Sequence, residues 1–237
     1  MKHVFHKSDS RGHFNYGWLD TRHTFSFARY YNPDRISFGA LRVLNDDIVQ
    51  PSEGFGKHPH DNMEIITIPI TGYLLHRDSM GHEQVLHAGE VQVMSAGKGL
   101  FHEEYNGSSE SASNFLQLWI HPNKYHIAPR YDQRAFNPEL AKNTWQSLVG
   151  PMGSESLNIY QNAYISRTFL SAGKSSEYKL NSSRNGCYLF IVEGNVRLGE
   201  IPLESRDGLG LWDTGSFRIE AETDAYIINM EIPMKSD

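Results

Sequence analysis

Gly54-Phe55-Gly56-Lys57-His58-Pro59-His60-Asp61-Asn62-Met63-Glu64 places two imidazoles one residue apart, and His102-Glu103-Glu104 places an imidazole and a carboxylate at the same spacing. Residues two apart on a β-strand point to one face. If both stretches are extended, each offers a pair of metal-type ligands side by side, and strands that face each other would bring the pairs together. Three neutral imidazoles and one carboxylate suit a divalent transition metal and leave coordination positions for a substrate. Glu103 has the opposite parity and is expected to face outward. An isolated His-x-His is weak evidence in a chain with twelve histidines; what surrounds this one makes it informative.

The apolar run Ile65-Ile66-Thr67-Ile68-Pro69-Ile70 ends at Thr71-Gly72, and Gly89-Glu90-Val91-Gln92-Val93-Met94 leads through Ser95-Ala96-Gly97-Lys98-Gly99 to the second pair. Gly72, Gly81, Gly89, Gly97 and Gly99 fall between short strand-like runs, a rhythm that marks an antiparallel sandwich or barrel. The order of these pieces resembles the two-part signature of the cupin superfamily. Trp18-Leu19-Asp20-Thr21-Arg22-His23-Thr24-Phe25-Ser26-Phe27, His76-Arg77-Asp78-Ser79-Met80-Gly81 and Phe115-Leu116-Gln117-Leu118-Trp119-Ile120 narrow it further. With Gly54 to Glu64 and the Ser95 loop they resemble the pirin family, densely from Gly17 to Pro122 and more loosely beyond. Within that family the chain is most similar to the bacterial pirin-like quercetin 2,3-dioxygenases.

The resemblance implies an all-β fold of two cupin-type antiparallel β-sandwich or barrel domains in tandem, a bicupin. It carries the metal ligands onto His58, His60, His102 and Glu104. Glu64 is the rival carboxylate, since many cupins take a glutamate near that position. A straight strand would put Glu64 ~13 Å from His60, so it reaches the ion only if Asp61-Asn62 bends the chain sharply. Glu104 needs no bend, and the pirin pattern puts the carboxylate there. The implied reaction is opening of a flavonol ring by O2 with release of carbon monoxide. Glu104 would act as ligand and as the base that takes the 3-hydroxyl proton. The implied cofactor is one divalent transition metal cation per chain, iron(II) first, with manganese, cobalt, nickel, copper or zinc accepted by the same donors. Two other readings stay open: a pirin-like regulatory or redox-sensing metal protein acting through protein partners, and a cupin-type sugar isomerase.

At 237 residues the chain can bury a large core, as one large domain or two ordinary ones. The formal charge of −6, without a long run of like charge, argues against direct nucleic-acid binding, which needs a basic face. Cys187 stands alone among Tyr188, Leu189 and Phe190, so no intrachain disulfide forms and a buried, inert thiol is expected. The N-terminus lacks the apolar core of a secretory signal, and no stretch approaches the ~18 apolar residues of a membrane span. A cytoplasmic monomer, acting on a small aromatic substrate and O2, is the expectation.

Residues 121–155 are polar and proline-punctuated and read as a connector, with Asn137 capping one short helical turn begun by Pro138-Glu139-Leu140-Ala141-Lys142. The chain is divided there into a metal-binding cupin domain, 1–135, and a cupin-like domain without ligands, 136–237. Tyr188-Leu189-Phe190-Ile191-Val192-Glu193-Gly194-Asn195-Val196 echoes Ile65 to Tyr73, and superposing Gly194 on Gly72 sets Leu180 and Ser182 in the places of His58 and His60, and Gly186 in that of Glu64. Asp213 falls near the place of His102. No histidine follows His126. His13, His23, His76, His82 and His87 read as structural or surface residues unless the fold brings one to the pocket, and Trp119 as core or wall.

Overall fold

The computed structural model describes residues 1–234, and they form the expected tandem of antiparallel β-domains. Four sheets carry the chain. In the first half a seven-stranded sheet runs Arg130–Ala135, Glu90–Ser95, Glu64–Thr71, Ser113–Ile120, Leu41–Val49, Leu19–His23, Gly12–Asn15. A four-stranded sheet, Gly54–His60, Leu100–Asn106, Tyr73–Asp78, Glu83–His87, closes over it. The second half repeats the plan. Its large sheet is centred on Asn185–Glu193 and Ala225–Pro233, and its small sheet runs Ser175–Lys179, Ser216–Ala221, Val196–Leu198, Ile201–Leu203. Only Gln146–Pro151 beside Leu157–Ile159 pairs in parallel among the named strands.

Side-chain parity explains the layering. Ile66, Ile68, Leu116 and Leu118 from the first large sheet pack with Tyr188, Phe190, Ile228 and Met230 from the second in one continuous core. The alternate residues of the second sheet, Leu189, Ile191, Leu209 and Ile227, turn the other way, toward Tyr178, Phe217 and Ile219 of its small sheet. The two large sheets therefore lie back to back, each covered outside by a small one. A strand buried on both faces reads as a nearly continuous apolar run, as Tyr188–Val192 does and as Ile65–Ile70 does but for Thr67. Each such side chain contributes ~1.5–3 kcal/mol by leaving water.

The turn after each central strand needs glycine. Gly72 and Gly194 have φ of +74° and +91°, and a Cβ would strike Ser113 at the first and the carbonyl of Asp224 at the second. The strand Lys2–His6 crosses the division drawn at 135/136: it pairs with Gly208–Trp212 at the edge of the second large sheet. Arg130–Ala135, just before that division, forms the edge of the first. Pro138–Ala141 forms one 3-10 turn, with the Asn137 side chain accepting from the Glu139 amide, as its cap chemistry predicts. No helix among the described residues is long and apolar enough to cross a membrane.

Candidate metal centre

Three neighbouring strands of the first small sheet bring the imidazoles together. His102 lies directly opposite His58 on one side and Asp78 on the other, and His60 lies opposite Leu100. Directly opposed residues share a face, so His58, His102 and Asp78 all point into the barrel. Ring centroids stand 4.4 Å apart for His58 and His102 and 4.8 Å for His60 with each of the other two. Their nearest nitrogens fall within 4.8 Å of one another. Against Leu100–Asn106 the strand Gly54–His60 carries one extra residue between Phe55 and His58; such bulges often re-aim a side chain next to a site.

The imidazoles are in the form a metal takes. His58 Nδ1 donates to the Gly56 carbonyl at 2.8 Å, which leaves Nε2 bare. Both nitrogens of His102 are buried without a partner. Burial first, then the neighbouring imidazoles, pushes His60 and His102 down to about 3, so each is neutral across the ordinary pH range. His58 and His60 are half-buried and His102 is 1 % exposed, so the group opens to solvent on one side only. Trp119 lies edge-on to His60 at 4.8 Å, and Met63, Met80 and Trp119 flank the adjoining apolar cluster of Ile65, Met94 and Leu100. Trp119 is thus both core and wall.

Glu104 is 2 % exposed and forms a second ligand-type group with His102 and His76, again within 4.8 Å. Gln117 Nε2 donates to its Oε2 at 2.9 Å, and Gln92 Nε2 to its Oε1 at 3.3 Å. The Thr67 hydroxyl stands 3.3 Å from Oε1 but nearer, 2.9 Å, to the Gln117 side-chain carbonyl. Glu64 is elsewhere. Asn62, at φ +44°, turns the chain between the two strands, and Glu64 emerges on the opposite face of the large sheet from Thr67. There it accepts from Ser95 Oγ at 2.7 Å and from the Tyr160 amide, and burial pushes it up to about 7. Glu103 points outward beside Arg77, as its parity requires. Burial likewise raises the Cys187 thiol, which leaves it inert.

The structure adds residues that the sequence reading left aside. His76 stands directly opposite Glu104, is 1 % exposed and packs on Tyr131 and His102. Its Nε2 lies 3.4 Å from Asp78 Oδ2, and a carboxylate that already accepts from His82 and Met80 can only accept. Nε2 is therefore the protonated nitrogen, and Nδ1, which has no partner, offers a lone pair. The signal was present in His76-Arg77-Asp78, two same-face residues, but only strand register shows that the face is that of Glu104. His82, half-exposed, closes the Asp78 pair at 2.8 Å. His13 and His87 lie on the surface, and His23 is buried against Phe14 and Phe27.

Register also redraws the comparison of the two halves. Leu74 pairs with Asn106 and, after the equivalent turn, Val196 pairs with Ala221. Glu104 and His102 then correspond to Ile219 and Phe217. Phe217 pairs with Tyr178 as His102 pairs with His58, so His58 and His60 correspond to Tyr178 and Leu180. The constant offset read from sequence misplaced these partners because the connecting loops differ in length. The four positions are filled by Tyr178, Leu180, Phe217 and Ile219, all part of, or packed on, the apolar core of the second barrel. Among the described residues both ligand-type groups lie in the first half. The donor set there, unpartnered imidazole nitrogens beside a carboxylate, fits a first-row divalent ion.

Cavities away from this face include one of about 400 Å³ beside Phe169, Leu170 and Tyr226. Another of about 930 Å³ opens between the halves, lined by His121, Tyr125, Asn162, Tyr164 and Arg184 among others. A smaller one of about 160 Å³ borders the small sheet at the site itself, lined by His102 and Asp78 as well as Lys57, Arg77 and Phe101.

Comparison with known proteins agrees with this architecture. The pirin family profile matches residues 4–120, and that of the quercetinase C-terminal cupin domain matches 147–232. The chain is 40% identical over 228 residues to the quercetin 2,3-dioxygenase of Escherichia coli K12, covering 96% of this chain and 97% of that one. The crystal structure of YhhW from Escherichia coli superposes with a TM-score of 0.93 at 39% identity, covering 98% of each chain. A crystal structure of the bacterial pirin YhhW in complex with nickel(II) gives a TM-score of 0.92 at 38% identity, over 98% of this chain and 99% of that one.

Proposed function

Because the chain belongs to the pirin family, we propose that it is a cupin metalloenzyme that opens the flavonol ring of quercetin-like compounds with O2 and releases carbon monoxide. His58, His60, His102 and Glu104 hold one divalent transition-metal cation. Iron(II) is the first candidate, and nickel(II), carried by the YhhW crystal, stands beside it. The observation that carries the reading is the one-sided opening of the centre: half-buried His58 and His60 meet solvent beside Trp119, Met63 and Met80. A flat, apolar ring system with a chelating edge matches a metal face bordered by aromatic and thioether surface.

The bound ion would act as a Lewis acid toward the hydroxyl and carbonyl oxygens of a flavonol and make that hydroxyl more acidic. The chain's own residues do the rest. Glu104 takes the hydroxyl proton on its carboxylate, which Gln117 and Gln92 hold in place. The edge-on pair of His60 and Trp119 sets the plane along which an aromatic ring can lie. Burial on the far side, where His102, Glu104 and His76 are closed off, keeps bulk water from the base.

The test is turnover of quercetin by the metal-loaded protein, aerobic against anaerobic, with carbon monoxide as the second readout. Oxygen-dependent loss of quercetin with carbon monoxide formation is expected. Glu104→Gln should lower kcat by ~10²–10⁴-fold, and His58→Ala should lose metal and activity together. Tight metal binding without turnover of any flavonol would reject the enzyme reading in favour of the regulatory one.

A further inference from the structure

Glu104 rests on a row of polar residues that the sheet itself does not require. Gln133, Gln92, Thr67, Gln117 and Asn45 stand directly opposite one another on five adjacent strands of the first large sheet. Gln92 and Thr67 are fully buried and Asn45 nearly so. The second half builds the same sheet without them: by register, Leu209 takes the place of Gln92 and Leu189 that of Thr67. Where Glu104 is replaced by Ile219, its supporting row is replaced by leucine. Two polar positions survive: Asn229, opposite Leu189 as Gln117 is opposite Thr67, and Ser166, opposite Asn229 as Asn45 is opposite Gln117. Asn229 is fully buried beside the Cys187 thiol. Within one chain, then, the places of Gln92 and Thr67 turn apolar where the carboxylate is absent, and the place of Gln117 keeps only a shorter amide.

We propose that Gln117, backed by Thr67 and Gln92, is the positioning residue that fixes the carboxylate of Glu104 toward the metal face. The inference rests on reading Glu104 as a ligand. Thr67 Oγ1 gives its single proton to the nearer acceptor, Gln117 Oε1. That fixes the orientation of the Gln117 amide and aims its NH2 at Glu104 Oε2. With Oε2 held by Gln117 and Oε1 reached by Gln92, the carboxyl plane cannot rotate, and its remaining lone pairs stay available on the side of His102. Partners of this kind around a ligating carboxylate typically govern metal affinity 10–100-fold.

The test uses the whole chain, stripped of metal and titrated with cobalt(II) against a competing chelator, and reads both the dissociation constant and the visible ligand-field spectrum. Gln117→Leu should weaken cobalt binding ~10–100-fold and shift the spectrum. Gln117→Asn should do the same, because the shorter side chain cannot reach Glu104. Asn229 already occupies the equivalent place in the second half, so the sheet tolerates that residue. In a Glu104→Ala background, Gln117→Leu should change affinity less than ~2-fold, the mark of an effect routed through the carboxylate. Wild-type affinity and spectrum in both Gln117 variants, or equal weakening with and without Glu104, overturns the proposal. If Glu104→Ala leaves too little binding to compare, the spectrum of Gln117→Asn decides: a shift supports the proposal and an unchanged band rejects it. Glu104→Ala alone reports the ligand reading; if it binds cobalt as the wild type does, that reading falls, whatever the Gln117 variants show.

Discussion

Two buried glutamates of the first half, Glu104 two residues after His102 and Glu64 four after His60, meet opposite fates. Glu104 follows His102 by two positions on one strand and keeps its face. Glu64 follows His60 by four, but Asn62 turns the chain between them, and the side chain ends between the halves. The pairing of His58 with His60, and of His102 with Glu104, on one face of each strand was readable from period-two parity; that the two pairs meet was visible only in the register. Gln117, Gln92 and His76 were not readable, because a single polar residue in an apolar strand looks the same whether it serves a site or satisfies a core. Glu64 has its own consequence. Its folded value of about 7 lies above the ordinary 4.5, so the folded state holds a proton that the unfolded chain releases. The stabilisation is complete below pH 4.5 and fades as pH rises through 7. Glu64→Gln keeps a neutral group there, so its stability relative to the wild type should rise between pH 5 and pH 8 by about 1–3 kcal/mol. Urea unfolding of both proteins at the two pH values checks it, and a difference independent of pH would contradict it.

At the scale of elements, the bend at Asn62 joins the metal strand Gly54–His60 to the large sheet. Asn62 adopts a left-handed φ, donates its amide to the Gly97 carbonyl and accepts the His126 amide on its side chain at 2.8 Å. Asparagine tolerates that backbone better than most residues. Asn62→Ala should therefore cost about 2 kcal/mol, for the backbone strain and the lost bond together, and Asn62→Gly about 1 kcal/mol, for the bond alone. Thermal unfolding of the metal-free variants separates the two, and equal losses would place the whole effect in the hydrogen bond. The runs around Gly72 and Gly194 made the central strands legible in the sequence. The crossing of Lys2–His6 into the second half's sheet was not legible, since a five-residue strand with two histidines and a lysine carries no mark of its partner. Register was equally hidden: one residue of slip moves every side chain to the other face, and a constant offset cannot follow loops of unequal length.

Across the whole molecule, the two large sheets share one core, so the halves should unfold together. Phe190 is fully buried within that shared core rather than inside the second barrel. Phe190→Ala should cost ~3–5 kcal/mol and leave a single transition in calorimetry; two resolved transitions would mean that the halves hold independently. The same fold is thus built twice with different interiors, one carrying imidazoles, a carboxylate and its amide supports, the other tyrosine, phenylalanine and leucine. The first of these interiors should hold one ion. Anomalous diffraction from crystals of the metal-loaded protein, collected at the absorption edge of the bound metal, measures that directly. It should give one peak per chain, ~2.0–2.2 Å from nitrogens of His58, His60 and His102 and from an oxygen of Glu104. A peak in the second half, or one in the first that Glu104 does not reach, would contradict it.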